Sequence, residues 1–316
     1  MQYKASVEII RAHRRTISRA IKTVLFIAIA FFFYVKWQQQ AIDFPRLLSS
    51  FNFEDKLWLL IAVLVLMPLN WAMEALKWQH ACTLVEKITF WEAFAGVLHG
   101  LSFGLVTPHA LGDYLGRVWS LKSKDRSHAV GMVLFTRSAQ MVPTLVLGLF
   151  SILYLPQVPV QVSVLLASIA VIVMLLARWR KPISALLKRT SWFDSLTMLS
   201  FRNVGDILML SFIRYGIFLL QFYLIMKAAK VEASDVVILM GIAWIFLAKS
   251  LLPSFNFLSD LGIREFSAVI YFDALGVPLE PVLAASLLLW CVNIMLPGLI
   301  GLWFIGRLKP FSPSDE

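Results

Sequence analysis

The chain has 316 residues, of which 59% are hydrophobic, 13% aromatic and 15% charged, and its mean hydropathy is +0.76. Soluble domains carry about 45–50% apolar and about 25% charged residues, so this composition excludes a soluble enzyme, a disordered chain and a disulfide scaffold. The net charge of +10 would suit nucleic acid in a soluble protein, but here the basic residues fall between apolar blocks. There they report orientation in the bilayer and attraction to anionic headgroups, and no nucleic-acid motif accompanies them.

The N-terminal stretch 1–20, with Arg11, Arg14, Arg15 and Arg19, reads as a basic amphipathic segment on the cytoplasmic surface. Residues 21–309 read as a single transmembrane unit and 310–316 as a short polar tail. The apolar blocks fall at 21–36, 57–80, 89–106, 128–154, 158–177, 205–228, 235–252 and 279–306, with a shorter one at 264–276. A spanning helix needs roughly 20 apolar residues, which makes the chain an all-α polytopic membrane protein. The strongest basic loop, 178–204, holds Arg178, Arg180, Lys181, Lys188, Arg189 and Arg202 against Asp194. It is expected to lie at the cytoplasmic interface, as are both termini.

Two blocks end in breaks. The first, SFGLVTPHALGDYLGR, contains Pro108, Gly112 and Gly116; the second, SLLPSFNFLSDLGIRE, contains Pro253 and Gly262. Backbone freed by Pro and Gly survives at membrane depth only where it is buried in protein or lines a wet cavity. A single crossing by 89–117 would put the basic stretch Arg117–Arg126 outside. The charge rule is obeyed if 89–117 is a re-entrant hairpin turning near Pro108 and 235–276 a second one turning near Pro253. This gives about six full spans plus two hairpins in an inverted repeat, the pattern that marks a transporter's central site. The alternative is eight ordinary, kinked spans.

Ionisable groups at membrane depth are functional candidates because their insertion is costly. Asn70, Glu74 and Lys77 share a helix face, as site residues or as a local ion pair. Asp113 and Arg117 after the first break, and Asp260, Arg264 and Glu265 after the second, either grip an anionic group or pair to hold the hairpins. Arg137 with Gln140, Arg214 with Gln221, and Lys249 complete the set, with Arg214 open to a snorkelling role at the interface. His99 and Asn293 read as satisfied buried polar groups, and Cys82 and Cys291 as small hydrophobes. No catalytic motif, metal spacing or cofactor site emerges, so a transporter is expected over an enzyme. ATP-driven movement would need a separate energising subunit.

TPHALGDYLGRVWSLK with AVGMVLFTRSAQMVPTLVLGLFSI, and the later G-x-R-E turn with a final P-G-x-x-G span, resemble the lysylphosphatidylglycerol synthase transmembrane, flippase-like family. In place of the family's P-x-x-x-G-G-x-G this chain has PSFNFLSDLGIRE, with bulky Phe255, Phe257 and Leu258. The resemblance implies movement of a polar lipid, with an anionic or aminoacylated phospholipid headgroup, across a bacterial-type inner membrane. It also implies that the fused cytosolic aminoacyl transferase is absent from this chain, which ends FSPSDE. Rival readings are a membrane enzyme or subunit that modifies a lipid-linked headgroup, and a scaffold for a cytosolic lipid synthase. A homo-oligomer is compatible with any of these.

Overall fold

The computed structural model describes residues 56–83, 85–106, 109–119, 121, 126–155, 168, 199–252 and 257–305. The N-terminal segment, the blocks at 21–36 and 158–177, most of the basic loop and the polar tail lie outside the described residues. What is described is helical, with no strand among these residues. In chain order the elements are α1 (Leu57–Cys82), α2 (Phe90–Val106), α3 (His109–Trp119), α4 (Arg126–Ile152), α5 (Phe201–Ala228), α6 (Asp235–Leu251), α7 (Phe257–Ala274) and α8 (Leu279–Trp290). A π-helical turn (Cys291–Met295) and α9 (Leu296–Ile305) follow.

Among the described residues four stretches are long and apolar enough to cross a bilayer: Leu57–Cys82, His128–Ile152, Arg202–Ala228 and Leu279–Gly301, with mean hydropathies of 2.0, 1.4, 1.7 and 2.0. α1 and α5 turn Leu57, Trp58, Ile61, Val65, Met209 and Phe212 outward, while Asn70, Glu74, Lys77, Ser211 and Gln221 face inward and are buried. Apolar outside and polar inside is the arrangement a lipid solvent selects.

Both broken segments fold back on themselves. In the first, Gly116 of α3 lies against the backbone of Gly100 of α2, so close that a Cβ at Gly116 would overlap the Gly100 main chain. Residues 100 and 116 flank position 108 symmetrically, so α2 and α3 form an antiparallel hairpin. At 1.5 Å per residue the 11-residue α3 rises about 16 Å, well short of the roughly 30 Å hydrocarbon core. In the second, Trp244 Nε1 of α6 donates to the Ser267 carbonyl of α7 at 2.9 Å and Phe272 packs on Gly241. These pairs centre near 256, again an antiparallel hairpin. The segments that join the arms, 107–108 and 253–256, lie outside the described residues. Gly112, Gly116 and Gly262, expected at the turns, lie instead inside α3 and α7; for Gly116 the lost side chain serves close helix contact.

The helices pack reciprocally. α1 and α5, which precede the two hairpins, lie against each other; α4, which follows the first hairpin, lies on α6 of the second; α9, which follows the second, lies on α2 of the first. Gln221 Nε2 donates to the Val63 carbonyl at 2.9 Å, and at the other end His80 Nε2 meets Asp206 Oδ2 at 3.2 Å. α1 and α5 therefore run antiparallel.

Local chemistry explains the element ends. Ser200 caps α5 by accepting from the Asn203 amide at 3.1 Å, the preferred N-cap role of serine. This starts the helix at Phe201 and takes the last four residues of the expected 178–204 loop. Ser234 caps α6 in the same way, and Lys227 Nζ donates to Asp235 Oδ1 at 3.0 Å, which holds that carboxyl below its ordinary range. Pro297 has no amide to give the Asn293 carbonyl, and the π turn Cys291–Met295 lies immediately before it. Ser102 Oγ donates to the Gly298 carbonyl at 2.9 Å, where Gly301 leaves room for the hydroxyl.

Candidate functional site

A cavity of about 200 Å³ lies among the helices, lined from both hairpins. Its charged lining comes from six helices: Glu74 and Lys77 on α1, Asp113 and Arg117 on α3, Arg137 on α4, Arg214 on α5, Lys249 on α6 and Arg264 on α7. Trp71, Val97, Leu101, Phe218, Phe246 and Leu289 supply apolar walls. The volume admits several waters or a small headgroup.

On one wall the charges are tied together. Arg117 places Nη2 2.7 Å from Glu74 Oε1 and Nε 2.9 Å from Asp113 Oδ1. The other oxygen of Asp113 takes Arg137 Nη2 at 2.7 Å and Arg137 Nε at 2.8 Å, a two-pronged contact that only a guanidinium makes. Glu74 Oε2 takes Lys77 Nζ at 2.6 Å and faces Arg214 Nε at 3.3 Å. Lys77 continues to Gln140 Oε1 at 3.0 Å, and Gln140 Nε2 donates to the Ser211 carbonyl at 3.2 Å. Arg117 also lies over the Trp78 ring at 5.7 Å, and Arg214 over Phe218 at 5.4 Å. Four cations thus share two carboxylates. Such a cluster survives burial because each charge has an opposite charge within ion-pair distance.

The lining around Arg264 is built differently. Arg264, 3% exposed, donates from Nη2 to the Ser286 carbonyl at 3.2 Å and stands over Phe222 at 6.0 Å. Among the described residues its Nε has no hydrogen-bond partner. Lys249, at the end of α6, faces the same space.

The structure brings together seven of the nine residues expected at the site: Glu74, Asp113, Arg117, Arg137, Arg214, Lys249 and Arg264. Glu265 is not among the lining residues, and the side chain of Asp260 and the turn prolines Pro108 and Pro253 lie outside the described residues. Arg214 does not snorkel: it turns inward to Glu74, and Asp206 pairs with His80 instead. Lys77 is as central as Glu74. The carbonyls of Ser211 and Ser286 also serve the site, and no side-chain pattern announces a carbonyl. Behind it, Asn293 Nδ2 donates to Gln221 Oε1 at 2.8 Å, which links the π turn through Gln221 to α1.

Spanning helices around a buried charged cavity define an integral membrane protein whose polar chemistry is internal. Residues 20–301 match the family model described as the lysylphosphatidylglycerol synthase TM region, and the chain belongs to that family. A comparison with curated proteins finds none that matches. The family suggests a role connected with membrane lipid.

Proposed function

We propose that this protein moves a polar, phosphate-bearing lipid between the leaflets of a bacterial-type cytoplasmic membrane. The observation that carries the reading is the cavity itself: six cationic side chains and two carboxylates among the described residues, gathered between spanning helices at the meeting of two hairpins. Arginines in excess of carboxylates suit a phosphate, which they can grip through paired N–H groups. The apolar walls let the acyl chains stay in hydrocarbon while the headgroup alone takes the wet path.

In this reading the hairpins are re-entrant, one from each side. The reciprocal packing and the antiparallel α1–α5 pair support an inverted repeat, which places a transporter's site at the repeat interface. The carboxylates of Glu74 and Asp113 keep the arginines in position without neutralising them all.

The test is transbilayer exchange in proteoliposomes. Fluorescent phosphatidylglycerol in the inner leaflet should become accessible to an external quencher faster than in protein-free vesicles, and Arg117→Ala should return the rate to the protein-free value. Mass spectrometry of the recovered lipid should show an unchanged headgroup. Exchange at the protein-free rate for every phospholipid tried would overturn the proposal, and a modified headgroup would replace it with lipid modification.

A further inference from the structure

Arg117 and Arg264 occupy comparable places in the two hairpins, each four residues after an aspartate on the second arm. Their surroundings differ. Arg117 meets both Glu74 and Asp113, whereas Arg264, equally buried, has among the described residues no carboxylate within ion-pair distance and one hydrogen bond to a carbonyl. A guanidinium carries five N–H donors, and leaving them unmet in a buried site is unfavourable. The Nε of Arg264 is unmet beside a cavity that Lys249 also lines.

From this asymmetry we infer that Arg264, with Lys249, forms the seat of the ligand phosphate, and that the cavity takes headgroups of net negative charge and rejects aminoacylated, net-positive ones. The inference rests on the transport reading and narrows it. The tied wall holds Arg117, Lys77, Arg137 and Arg214 on two carboxylates. Among the described residues the lining carboxylates are Glu74 and Asp113, both already held by those cations, so neither is left to receive an added ammonium. A phosphate at Arg264 completes a charge-assisted pair; a lysyl or other amine beside it meets a cavity lined by six cations.

Binding, measured separately from exchange, tests the inference. Purified full-length protein in uncharged detergent is titrated at fixed ionic strength with four probes: dihexanoyl phosphatidic acid, dihexanoyl phosphatidylglycerol, dihexanoyl lysylphosphatidylglycerol and glycerol 3-phosphate. The two anionic lipids should bind at least about tenfold more tightly than the lysyl lipid. Arg264→Ala should weaken anionic binding by about ten- to a hundredfold, the range for one lost charge-assisted bond, and Arg264→Lys should fall between. The melting temperature of Arg264→Ala should equal or exceed that of the parent, since the change removes a buried charge that has no counter-ion among the described residues; this separates lost binding from lost folding.

Equal binding of the lysyl and anionic lipids, or unchanged binding in a folded Arg264→Ala protein, overturns the inference. Glycerol 3-phosphate binding as tightly as phosphatidic acid overturns its lipid part and assigns the seat to a soluble phosphate. Selective anionic binding without faster exchange would leave the seat standing and remove the transport reading, while exchange without selectivity would do the reverse.

Discussion

Glu74 and Arg117, 43 residues apart in the chain, join α1 to the second arm of the first hairpin through a 2.7 Å ion pair that is almost wholly buried. The carboxylate holds Lys77 and faces Arg214 as well, so it is the point on which three cations converge. Glu74→Gln leaves those cations with a neutral amide. Breaking a buried pair by removing one partner costs about 3–5 kcal/mol, and the variant should melt far below the parent in detergent. Adding Lys77→Met to Glu74→Gln removes one of the stranded charges and should recover part of the loss. A double mutant whose two effects simply add would show that Glu74 and Lys77 are not coupled.

The close approach of α2 and α3 makes a steric prediction. Any Cβ at Gly116 would meet the Gly100 backbone, and backbone cannot step aside as a flexible side chain does. Gly116→Ala should therefore destabilise by about 1–3 kcal/mol, the usual cost of overpacking, and disturb Asp113 nearby. Gly205, on the exposed side of α5, has nothing near its would-be Cβ. There the same substitution should raise stability by up to about 1 kcal/mol through helix propensity. Thermal unfolding of the two variants side by side checks the contrast.

Much of the site was legible because helical spacing is local. Asn70, Glu74 and Lys77 share a face by arithmetic, and Asp113 and Arg117 lie one turn apart, as the structure finds them. The two breaks read from the sequence fall between the antiparallel arms, α2 with α3 and α6 with α7. What the sequence could not announce was pairing between distant elements: that Glu74 would meet Arg117 and Arg214, or that Arg264 would turn to the Ser286 carbonyl. Those contacts depend on how helices pack in three dimensions, which periodicity does not encode. Gly112, Gly116 and Gly262 misled for a related reason. A glycine near a break can serve a turn or a close helix contact, and for Gly116 only the neighbour, Gly100, decides.

The polar relay from Asn293 through Gln221 to the Val63 carbonyl ties the π turn to both α5 and α1. Gln221→Leu should cost about 1–2 kcal/mol, because it leaves the buried Asn293 amide and the Val63 carbonyl each short of a partner. Leucine at both Gln221 and Asn293 removes the stranded amide as well, and should be more stable than the single Gln221→Leu variant. Thermal unfolding of the single and double variants measures this directly; a double variant less stable than the single would show that the relay contributes little.

The hairpin reading makes a prediction about sidedness that eight ordinary spans do not share. If α2 and α3 enter and leave on one side, Lys87 and His128 border the same compartment. Lys230, beyond α5, borders the opposite one. With the hairpin replaced by a single crossing, Lys87 and His128 fall on opposite sides. Cysteines introduced singly at these positions, in a chain carrying Cys82→Ser and Cys291→Ser, can be labelled with a membrane-impermeant maleimide in sealed vesicles of known orientation. Lys87→Cys and His128→Cys should react together from the cytoplasmic face, where the basic stretch after Arg117 also belongs by the positive-inside rule. Lys230→Cys should react only from the other face. Opposite labelling of Lys87→Cys and His128→Cys would overturn the re-entrant first hairpin, and with it the proposed inverted repeat.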